Sequence, residues 1–533
     1  MSDSPGRQMG RAAALMMASV FLSRVLGYAR DAVIAYQHGA TPETDAYFAA
    51  FTVPDFLNHL LAGGALSITF IPIFSRFLAE GKEEEGFRAF STIATVMGAA
   101  LVFFIVLGEF LAGRVIPFIA PGFTPAQAAV AARLTRIVLP SQIFFYIGGL
   151  LMAIQYARKQ FLLPALAPLV YNAGIIAGGL LAGREHGMKG FAWGVVGGAF
   201  LGNFALQLYG VRRGRFAYRP RIDFADPALR EFIRLSIPIM LGFSLVVVDE
   251  WTTRVFGSFL LVGAITWLNN ARRLMMVPVG IFGYASGVAS YPFLAELAAH
   301  GKMEEMWDKL SLTLRWVFLV SAGVAAVVFV LSREAVLLVF QRGAFRIDDT
   351  LHTASALSAF AVGIPFWCAQ AIVSRGFFAM KDTWTPTLAG TGAWVVALPA
   401  YYLLQQSYGV FGLALASTIG IFVYAGTLYG ILMFRTVGRK GIPELAEYGK
   451  MALAAVLAGT AGGYGLSAAA RFLSWETLWG SLARFLAGAA LIFAAYFLIA
   501  FLGRSRTVRM IRRREDLLHP PSSDPGPPRP PRP

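Results

Sequence analysis

Cysteine is almost absent from this chain: Cys368 is the only one among 533 residues, so no disulfide can form within it. It lies in an apolar segment, which predicts a buried small side chain. The six histidines show no metal-ligand spacing, and no nucleophile elbow, phosphate-binding loop or paired acids stand in a suitable context. We therefore expect no enzymatic activity, no metal site and no cofactor.

Charge is also scarce, because Asp, Glu, Lys and Arg together make up 14% of the residues, whereas 57% are hydrophobic. The mean hydropathy is +0.61. Runs of about 20 apolar residues, the length that crosses a bilayer, recur along the chain with short loops between them. This pattern predicts an integral membrane protein without a large extramembrane domain. Arg24 interrupts the first run, which lacks a small-residue cleavage site, so we expect a retained helix and not a signal peptide.

The hydropathy pattern predicts an all-α polytopic fold with about fourteen transmembrane helices. They cover 12–36, 46–75, 88–112, 129–156, 164–182, 190–211, 232–258, 262–295, 312–332, 351–378, 385–405, 410–433, 449–470 and 480–503. Lys and Arg cluster in alternate loops, and the positive-inside rule then places both termini in the cytoplasm. Arg342 and Arg346 are exceptions, because their loop is predicted to lie outside. The same distribution accounts for the net charge of +16 without any binding of nucleic acid.

Two pairs of similar segments indicate an internal duplication. Residues 65–82 resemble 285–302, with Pro72 and Pro292 equivalent, and residues 156–168 resemble 378–390. Both pairs are separated by six predicted helices, an even number, so the two copies enter the membrane from the same side. Parallel repeats of this kind are typical of transporters whose substrate path lies between two halves.

The duplication predicts four regions. Residues 1–222 would form an N-terminal lobe of helices 1–6, and residues 223–440 a C-terminal lobe of helices 7–12. Residues 441–505 would add helices 13 and 14. Residues 506–533 are basic and rich in proline, which predicts a disordered cytoplasmic tail.

Helix 1 carries charges at a depth where lipid would be expected. Arg24, Gly27 and Asp31 share one helical face, and Arg30 lies about 120° round from Arg24. Buried charges of this kind usually face a bundle interior or a watery cavity. Arg30 lies near the external end and could also extend to the interface. Gly27 would let a neighbouring backbone approach closely or let the helix bend.

Helix 7 contains Asp249, Glu250 and Arg254. Glu250 and Arg254 are spaced i, i+4, which predicts an ion pair on the helix. Asp249 is then left as a candidate site for a coupling proton or monovalent cation near the midplane, or as the partner of an arginine on helix 1.

Helix 8 adds the adjacent pair Arg272 and Arg273, of which at least one should face the interior. Pro278 would bend this helix and open space beside it. Several arginines with few carboxylates on the same helices predict a cavity of positive charge. Because the guanidinium group matches phosphate oxygens in a bidentate manner, the sequence predicts an anionic, phosphate-bearing substrate.

Several motifs, in order, closely resemble those of the bacterial lipid II flippase family MurJ, within the multidrug/oligosaccharidyl-lipid/polysaccharide exporter superfamily. They are "SRVLGYARDAVIA", "TDAYFAAF", "PDFLNHLLAGGALSITFIPIF", "FLLPALAPLVYNAGIIAG", "ARRLMMVPVGIFG", "FQRGAF" and "FFAMKDTWTPT". The resemblance implies two six-helix lobes, with a groove for a lipid tail at helices 13 and 14. It also implies movement of the undecaprenyl-pyrophosphate-linked peptidoglycan precursor, lipid II, to the outer leaflet of the bacterial inner membrane, without ATP hydrolysis.

The resemblance also implies which residues bind the substrate. Arg24, Arg30 and Asp31 match the helix 1 motif that contains Gly27, Arg273 matches the helix 8 arginine, and Asp45 lies in the "TDA" motif. Besides lipid II, membrane lipids and cell-wall synthesis proteins are the expected partners.

The chain departs from the family pattern on two helices. Helix 2 has Asn58 and Gly63 where many relatives carry arginine and glutamate, and helix 11 has Ala397 and Tyr401 where the resemblance implies polar cation ligands. Sodium coupling in that form is not expected, so either Asp249 binds a cation or the membrane potential acts on the cargo.

The sequence leaves two alternatives to a lipid II flippase open and disfavours a third. The chain could export another polyprenyl-linked glycan, or it could be a scaffold that binds lipid-linked precursors without moving them. A multidrug exporter is disfavoured, because organic cations would require acidic cavity walls.

Overall fold

The computed structural model describes residues 5–62, 65–214, 216–240, 245–469, 478–503 and 507. Helices dominate this part of the chain, which contains no β-strand. The predicted all-α fold is therefore confirmed. In a bilayer, long apolar segments form helices because only an internally bonded backbone satisfies its polar groups there.

The helices of the first half are α1 (Pro5–His38), α2 (Pro42–Ala50), α3 (Thr52–Leu57), α4 (Ala65–Ala79), α5 (Glu83–Ile119), α6 (Pro125–Val138), α7 (Ser141–Ala157), α8 (Leu162–His186), α9 (Met188–Gly198) and α10 (Leu206–Arg212). Those of the second half are α11 (Pro227–Met240), α12 (Leu245–Gly257), α13 (Ala264–Pro278), α14 (Ala285–Ala299), α15 (Met303–Val330), α16 (Ser332–Phe340), α17 (Ile347–Ala379), α18 (Trp384–Thr436), α19 (Ile442–Ala469) and α20 (Leu478–Leu502). Short π-helical turns cover Asn58–Ala62, Ala199–Ala205 and Val279–Tyr284.

Ten helical segments among the described residues are long and apolar enough to cross a membrane. The count of fourteen spans stays a prediction. The predicted segment 46–75 contains α2, α3, a π-helical turn and α4. The predicted segment 232–258 falls on α11 and α12, and residues 241–244 between them lie outside the described part of the chain. The predicted break between helices 11 and 12 lies inside α18, at Gly409, whose φ of 56° and ψ of −128° are not helical.

The duplicated segments share unusual backbone conformations. Gly81 and Gly301 have φ values of 71° and 72°, and Lys159 and Lys381 have φ values of 58° and 59°. A lysine rarely adopts the left-handed region, so its recurrence at equivalent positions supports the duplication. The lobe boundaries at residues 222 and 440 stay predictions.

The chain divides into two compact units, whose boundaries lie within helices. The first consists of residues 1–274, 336–357 and 387–420, and the second of residues 275–335, 358–386 and 421–533. The predicted tail at 506–533 lies outside the described residues, apart from Thr507.

The first unit contains two apolar clusters, one around Phe70, Phe90 and Tyr146 and the other around Tyr47 and Phe191. Glycines allow α8 and α9 to pack closely here. A side-chain carbon at Gly178 would lie 2.6 Å from the Cα of Gly194, so a larger residue there would separate the helices.

The core of the second unit includes Phe318, Met451 and Tyr496 on α15, α19 and α20. Cys368 is buried in this unit, as predicted. Beside its core lies an apolar cavity of about 690 Å³, whose lining residues come from α15, α17 and α19.

Candidate functional site

A polar pocket of about 400 Å³ lies within the first unit. Its lining residues are Arg30, Asp31, Tyr47, Phe48, Phe51, Asp55, His59, Tyr171, Glu250, Trp251, Arg254, Asn269 and Arg273. They come from α1, α2, α3, α8, α12 and α13, from the residue between α2 and α3, and from the π-helical turn after α3. The pocket thus combines charged side chains with aromatic ones inside a bundle of apolar helices.

Asp31 joins two of the pocket arginines. Its Oδ1 accepts from Arg30 Nε at 2.9 Å and lies 2.8 Å from Arg30 Nη2, and its Oδ2 lies 3.3 Å from Arg273 Nε. Arg30 Nη1 also donates to Asn172 Oδ1 at 3.2 Å. The Asp31 side chain is fully buried, whereas that of Arg273 is 47% exposed. The structure thus brings together Arg30, Asp31 and Arg273, which the sequence predicted to be site residues.

Arg254 is the third arginine of the pocket. Its Nη2 lies 2.5 Å from Glu250 Oε1, which confirms the predicted i, i+4 pair. Its Nη1 lies 3.0 Å from Asp55 Oδ2 and donates to Thr52 Oγ1 at 3.1 Å. The sequence did not predict the contact with Asp55, because that residue is nearly 200 positions away and no local spacing connects the two.

The pocket does not carry the excess of positive charge that the sequence predicted. Its lining includes three guanidinium groups, of Arg30, Arg254 and Arg273, and three carboxylates. Two of those carboxylates pair with an arginine of a different helix: Asp55 pairs with Arg254, and Asp31 pairs with Arg273. Counting charges helix by helix therefore overestimated the positive charge.

Arg24 and Gly27 do not line this pocket, although both belong to the same predicted face of α1. The Arg24 side chain is exposed. A side-chain carbon built at Gly27 would meet no described atom within 4 Å. The close backbone approach considered for Gly27 is therefore not found in the described part of the chain, and the binding roles of both residues stay predictions.

Asp45 is buried outside the pocket lining and binds the start of α13. Its carboxylate accepts from the backbone N–H of Gly263 at 2.6 Å and of Thr266 at 2.8 Å, and from Thr266 Oγ1 at 2.7 Å. A carboxylate at this place satisfies N–H groups that the first turn of a helix leaves without partners. α2 itself begins at a capping box of Thr41 and Thr44. Asp45 thus anchors the helix that carries Arg273, and it does not line the pocket.

Asp249 is fully buried and has three side-chain partners. It forms an ion pair with Arg272 and accepts from the Tyr401 hydroxyl and, at 2.9 Å, from Ser417 Oγ. Arg272 also donates to Thr253 Oγ1 at 3.1 Å. The described residues contain no cluster of three or more His, Cys, Asp or Glu that could hold a metal ion. The arginine that pairs with Asp249 is therefore Arg272 of α13, which is predicted helix 8, and not an arginine of helix 1.

The sequence model of a family described as lipid II flippase MurJ matches residues 34–483. The chain belongs to the MurJ family. A lipid II flippase MurJ of Burkholderia cenocepacia is 29% identical over 443 residues, which cover 80% of this chain and 84% of that protein. A probable lipid II flippase MurJ of Thermotoga maritima is 28% identical over 403 residues, 75% of this chain and 80% of that protein.

Solved structures show the same fold. A lipid II flippase MurJ in an inward closed conformation superposes with a TM-score of 0.75 at 22% identity, covering 94% of this chain and all of that one. A multidrug resistance MATE family transporter of the MOP superfamily, in an inward-facing conformation, gives a TM-score of 0.65 at 14% identity over 80% of this chain and 99% of that one.

In this MurJ-family chain, the structure describes only one of the two residues of helix 2 that depart from the family pattern. Asn58 begins the π-helical turn after α3, next to the pocket residue His59. Gly63 lies outside the described residues. On helix 11, Ala397 is buried and Tyr401 contacts Asp249. Periodicity along one helix could not have predicted these contacts between helices.

Proposed function

We propose that this chain moves lipid II, the undecaprenyl-pyrophosphate-linked disaccharide-pentapeptide, from the inner to the outer leaflet of the bacterial cytoplasmic membrane. The proposed mechanism is alternating access between lobes formed by residues 1–222 and 223–440, with both termini in the cytoplasm. The activity is the one named for its relatives. The matching family is one of transporters, and lipid II, membrane lipids and cell-wall synthesis proteins are the proposed partners.

The observation that supports this proposal most directly is the grouping of Arg30, Arg254 and Arg273 around one pocket. Arginine inside a membrane bundle is costly, with insertion scales giving about 2.5–3.5 kcal/mol per residue, so it is usually retained for a function. The guanidinium fork can donate two parallel hydrogen bonds to phosphate oxygens. A pyrophosphate is the part of lipid II that matches such a pocket.

The three arginines differ in how available they are to a ligand. Arg273 is 47% exposed, whereas the side chains of Arg30 and Arg254 are 14% and 9% exposed. We assign the first contact with the pyrophosphate to Arg273, and the deeper contact to Arg30. Arg24, which is exposed on the same helix as Arg30, is assigned to capture of the headgroup as it enters.

The apolar cavity of the second unit suits a polyprenyl tail. Its volume is about 690 Å³, and residues such as Phe318, Val362, Phe366 and Val456 line it. Burial of apolar chain stabilises by about 0.8 kcal/mol per methylene group. α19, which corresponds to predicted helix 13, lines this cavity together with α15 and α17. The proposed tail site therefore differs from a groove formed by helices 13 and 14 alone.

The experiment that tests the proposed function uses the full-length protein in liposomes with fluorescent lipid II, and measures how fast the lipid reaches the opposite leaflet. We expect Arg273→Ala to lower the rate at least about tenfold, and Arg273→Lys to restore part of it, because lysine keeps the charge without the fork. Arg76→Ala is the matched control, since Arg76 pairs with Glu231 at an exposed position outside the pocket lining.

Two outcomes would favour the alternatives. A protein that binds lipid II but moves none would be a scaffold. A protein that moves another polyprenyl-pyrophosphate glycan and not lipid II would be an exporter for a different polymer. Equal transport by Arg273→Ala and the unmodified protein would remove the pocket from the mechanism.

A further inference from the structure

The pocket proposed to bind a pyrophosphate contains a carboxylate, Asp31, between two of its arginines. Asp31 is fully buried, and each of its oxygens contacts a different guanidinium group, of Arg30 on one side and Arg273 on the other. A carboxylate repels a pyrophosphate, so Asp31 cannot contribute attraction to it. Its contribution has to be made through the two arginines.

When the pocket holds no anion, Asp31 compensates the charge of the arginines. Unpaired guanidinium groups in a low-dielectric bundle would carry a large desolvation penalty, and an ion pair reduces it. A pyrophosphate entering the pocket would compete with Asp31 for the same donors. The Asp31 carboxylate and the pyrophosphate are therefore alternative partners of the same guanidinium groups.

The two contacts of Asp31 are not equivalent. Arg30 contacts it through Nε and Nη2 at 2.9 and 2.8 Å and also donates to Asn172, so its donors are used on several sides. Arg273 contacts it through Nε alone, at 3.3 Å, and among the described residues this is its one ion pair. Because Arg273 is also 47% exposed, it is the arginine whose contact exchanges most easily.

We propose that Asp31 is the release group of the site: it takes back Arg273, and strengthens its hold on Arg30, as the pyrophosphate leaves. A transporter needs a site that binds its cargo well enough to load it and weakly enough to release it. An internal carboxylate that competes for the same donors lowers the affinity and speeds dissociation. This inference depends on the proposed function, because it needs a pyrophosphate cargo.

The test compares Asp31→Asn with the unmodified full-length protein in lipid nanodiscs, with undecaprenyl pyrophosphate as the probe. Asparagine has the same shape but carries no charge to compete with the ligand. We expect the dissociation rate of the probe to fall at least about fivefold and its affinity to rise by a similar factor, since loss of a buried charge acts mainly on dissociation. In liposomes the same variant should move lipid II more slowly, although it binds the headgroup more tightly.

Two controls separate this effect from a general change of charge. Asp55→Asn removes another pocket carboxylate, which pairs with Arg254 and not with Arg273; it should slow dissociation less than Asp31→Asn does. Glu231→Gln removes an exposed carboxylate outside the pocket lining and should leave probe binding unchanged. Equal effects of Asp31→Asn and Asp55→Asn would overturn the inference.

The direction in which probe affinity changes distinguishes a release role of Asp31 from a merely structural one. If Asp31 only positions Arg30 and Arg273, Asp31→Asn should bind the probe equally or more weakly, and that result would overturn the proposal. If Asp31→Asn does not fold, Arg30→Gln and the double variant Arg30→Gln/Asp31→Asn make the same comparison without the Arg30 charge. The double variant should then bind more tightly than Arg30→Gln alone, and weaker or equal binding would again contradict the proposal.

Probe binding by the unmodified protein shows whether the proposed function itself is wrong. In that case the unmodified protein would not bind undecaprenyl pyrophosphate, which would remove the cargo that a release group needs. Binding by the unmodified protein without tightening in Asp31→Asn would contradict the release role alone.

Discussion

Asp45 accepts the backbone N–H of Thr266 at 2.8 Å and its hydroxyl at 2.7 Å, and so connects α2 to the first turn of α13. Arg273 follows two turns later on the same helix. A residue outside the pocket thus fixes the start of the element that brings an arginine into it. These distances support the role of a helix cap for Asp45. Its predicted contact with substrate stays a prediction.

Replacing Asp45 should therefore act on stability and on pocket geometry together. We expect Asp45→Ala to lower the free energy of unfolding by about 1–2 kcal/mol, the usual range for a lost cap. Thermal unfolding in detergent measures this loss, and probe binding measures the effect on Arg273. Glu43→Ala is the matched control, because Glu43 is an exposed acid on the same helix. Equal losses in the two variants would contradict the capping role.

Asp249 is fully buried and the side chain of its partner Arg272 is 10% exposed, so the loss of one partner leaves an uncompensated buried charge. We expect Asp249→Asn and Arg272→Met each to destabilise the protein by roughly 3–5 kcal/mol. The double variant should lose much less than the sum, because it removes both charges. Unfolding in detergent completes this double-mutant cycle. Additive losses would show that the two groups do not depend on each other.

The same contacts bear on how transport is driven. The guanidinium of Arg272, with the hydroxyls of Tyr401 and Ser417, already surrounds the Asp249 carboxylate. We therefore expect transport to follow the membrane potential, worth about 2.3 kcal/mol per charge per 100 mV. An inside-negative potential should speed outward movement of an anionic headgroup.

Liposomes with a clamped potential, in which sodium is replaced by choline, measure this dependence. The expected result is an unchanged rate at constant potential. A rate that needs sodium, and loses that need in Asp249→Asn, would instead make Asp249 the coupling site that the sequence suggested.

Gly343 and Gly409 both have positive φ values, of 60° and 56°, but their surroundings differ. A side-chain carbon at Gly343 would lie 2.3 Å from the backbone oxygen of Tyr36, whereas one at Gly409 would meet no described atom within 4 Å. Alanine should therefore cost backbone strain of roughly 1–3 kcal/mol at either position, with added overpacking at Gly343. Thermal unfolding should show a clearly larger loss for Gly343→Ala than for Gly409→Ala. Similar losses would mean that the segment around Gly343 moves away from Tyr36 at little cost.

Much of the architecture could be predicted from the sequence. Apolar runs located the helices, the repeated segments indicated a duplication, and the i, i+4 spacing of Glu250 and Arg254 predicted their ion pair. These features depend on periodicity along a single helix, and the bilayer strengthens them because it forces each helix to satisfy its own backbone. Motifs in order along the chain were sufficient to indicate the family.

The site itself depended on contacts between distant residues. Asp55 pairs with Arg254, Asp45 binds Thr266 and Tyr401 meets Asp249, each across 150 or more positions. No spacing rule connects such residues, because their distance is set by how the helices pack and rotate. The composition of the helices thus indicated that charges would be buried together, while the packing selected which carboxylate neutralises which arginine and left Arg273 the most exposed of the three arginines that line the pocket.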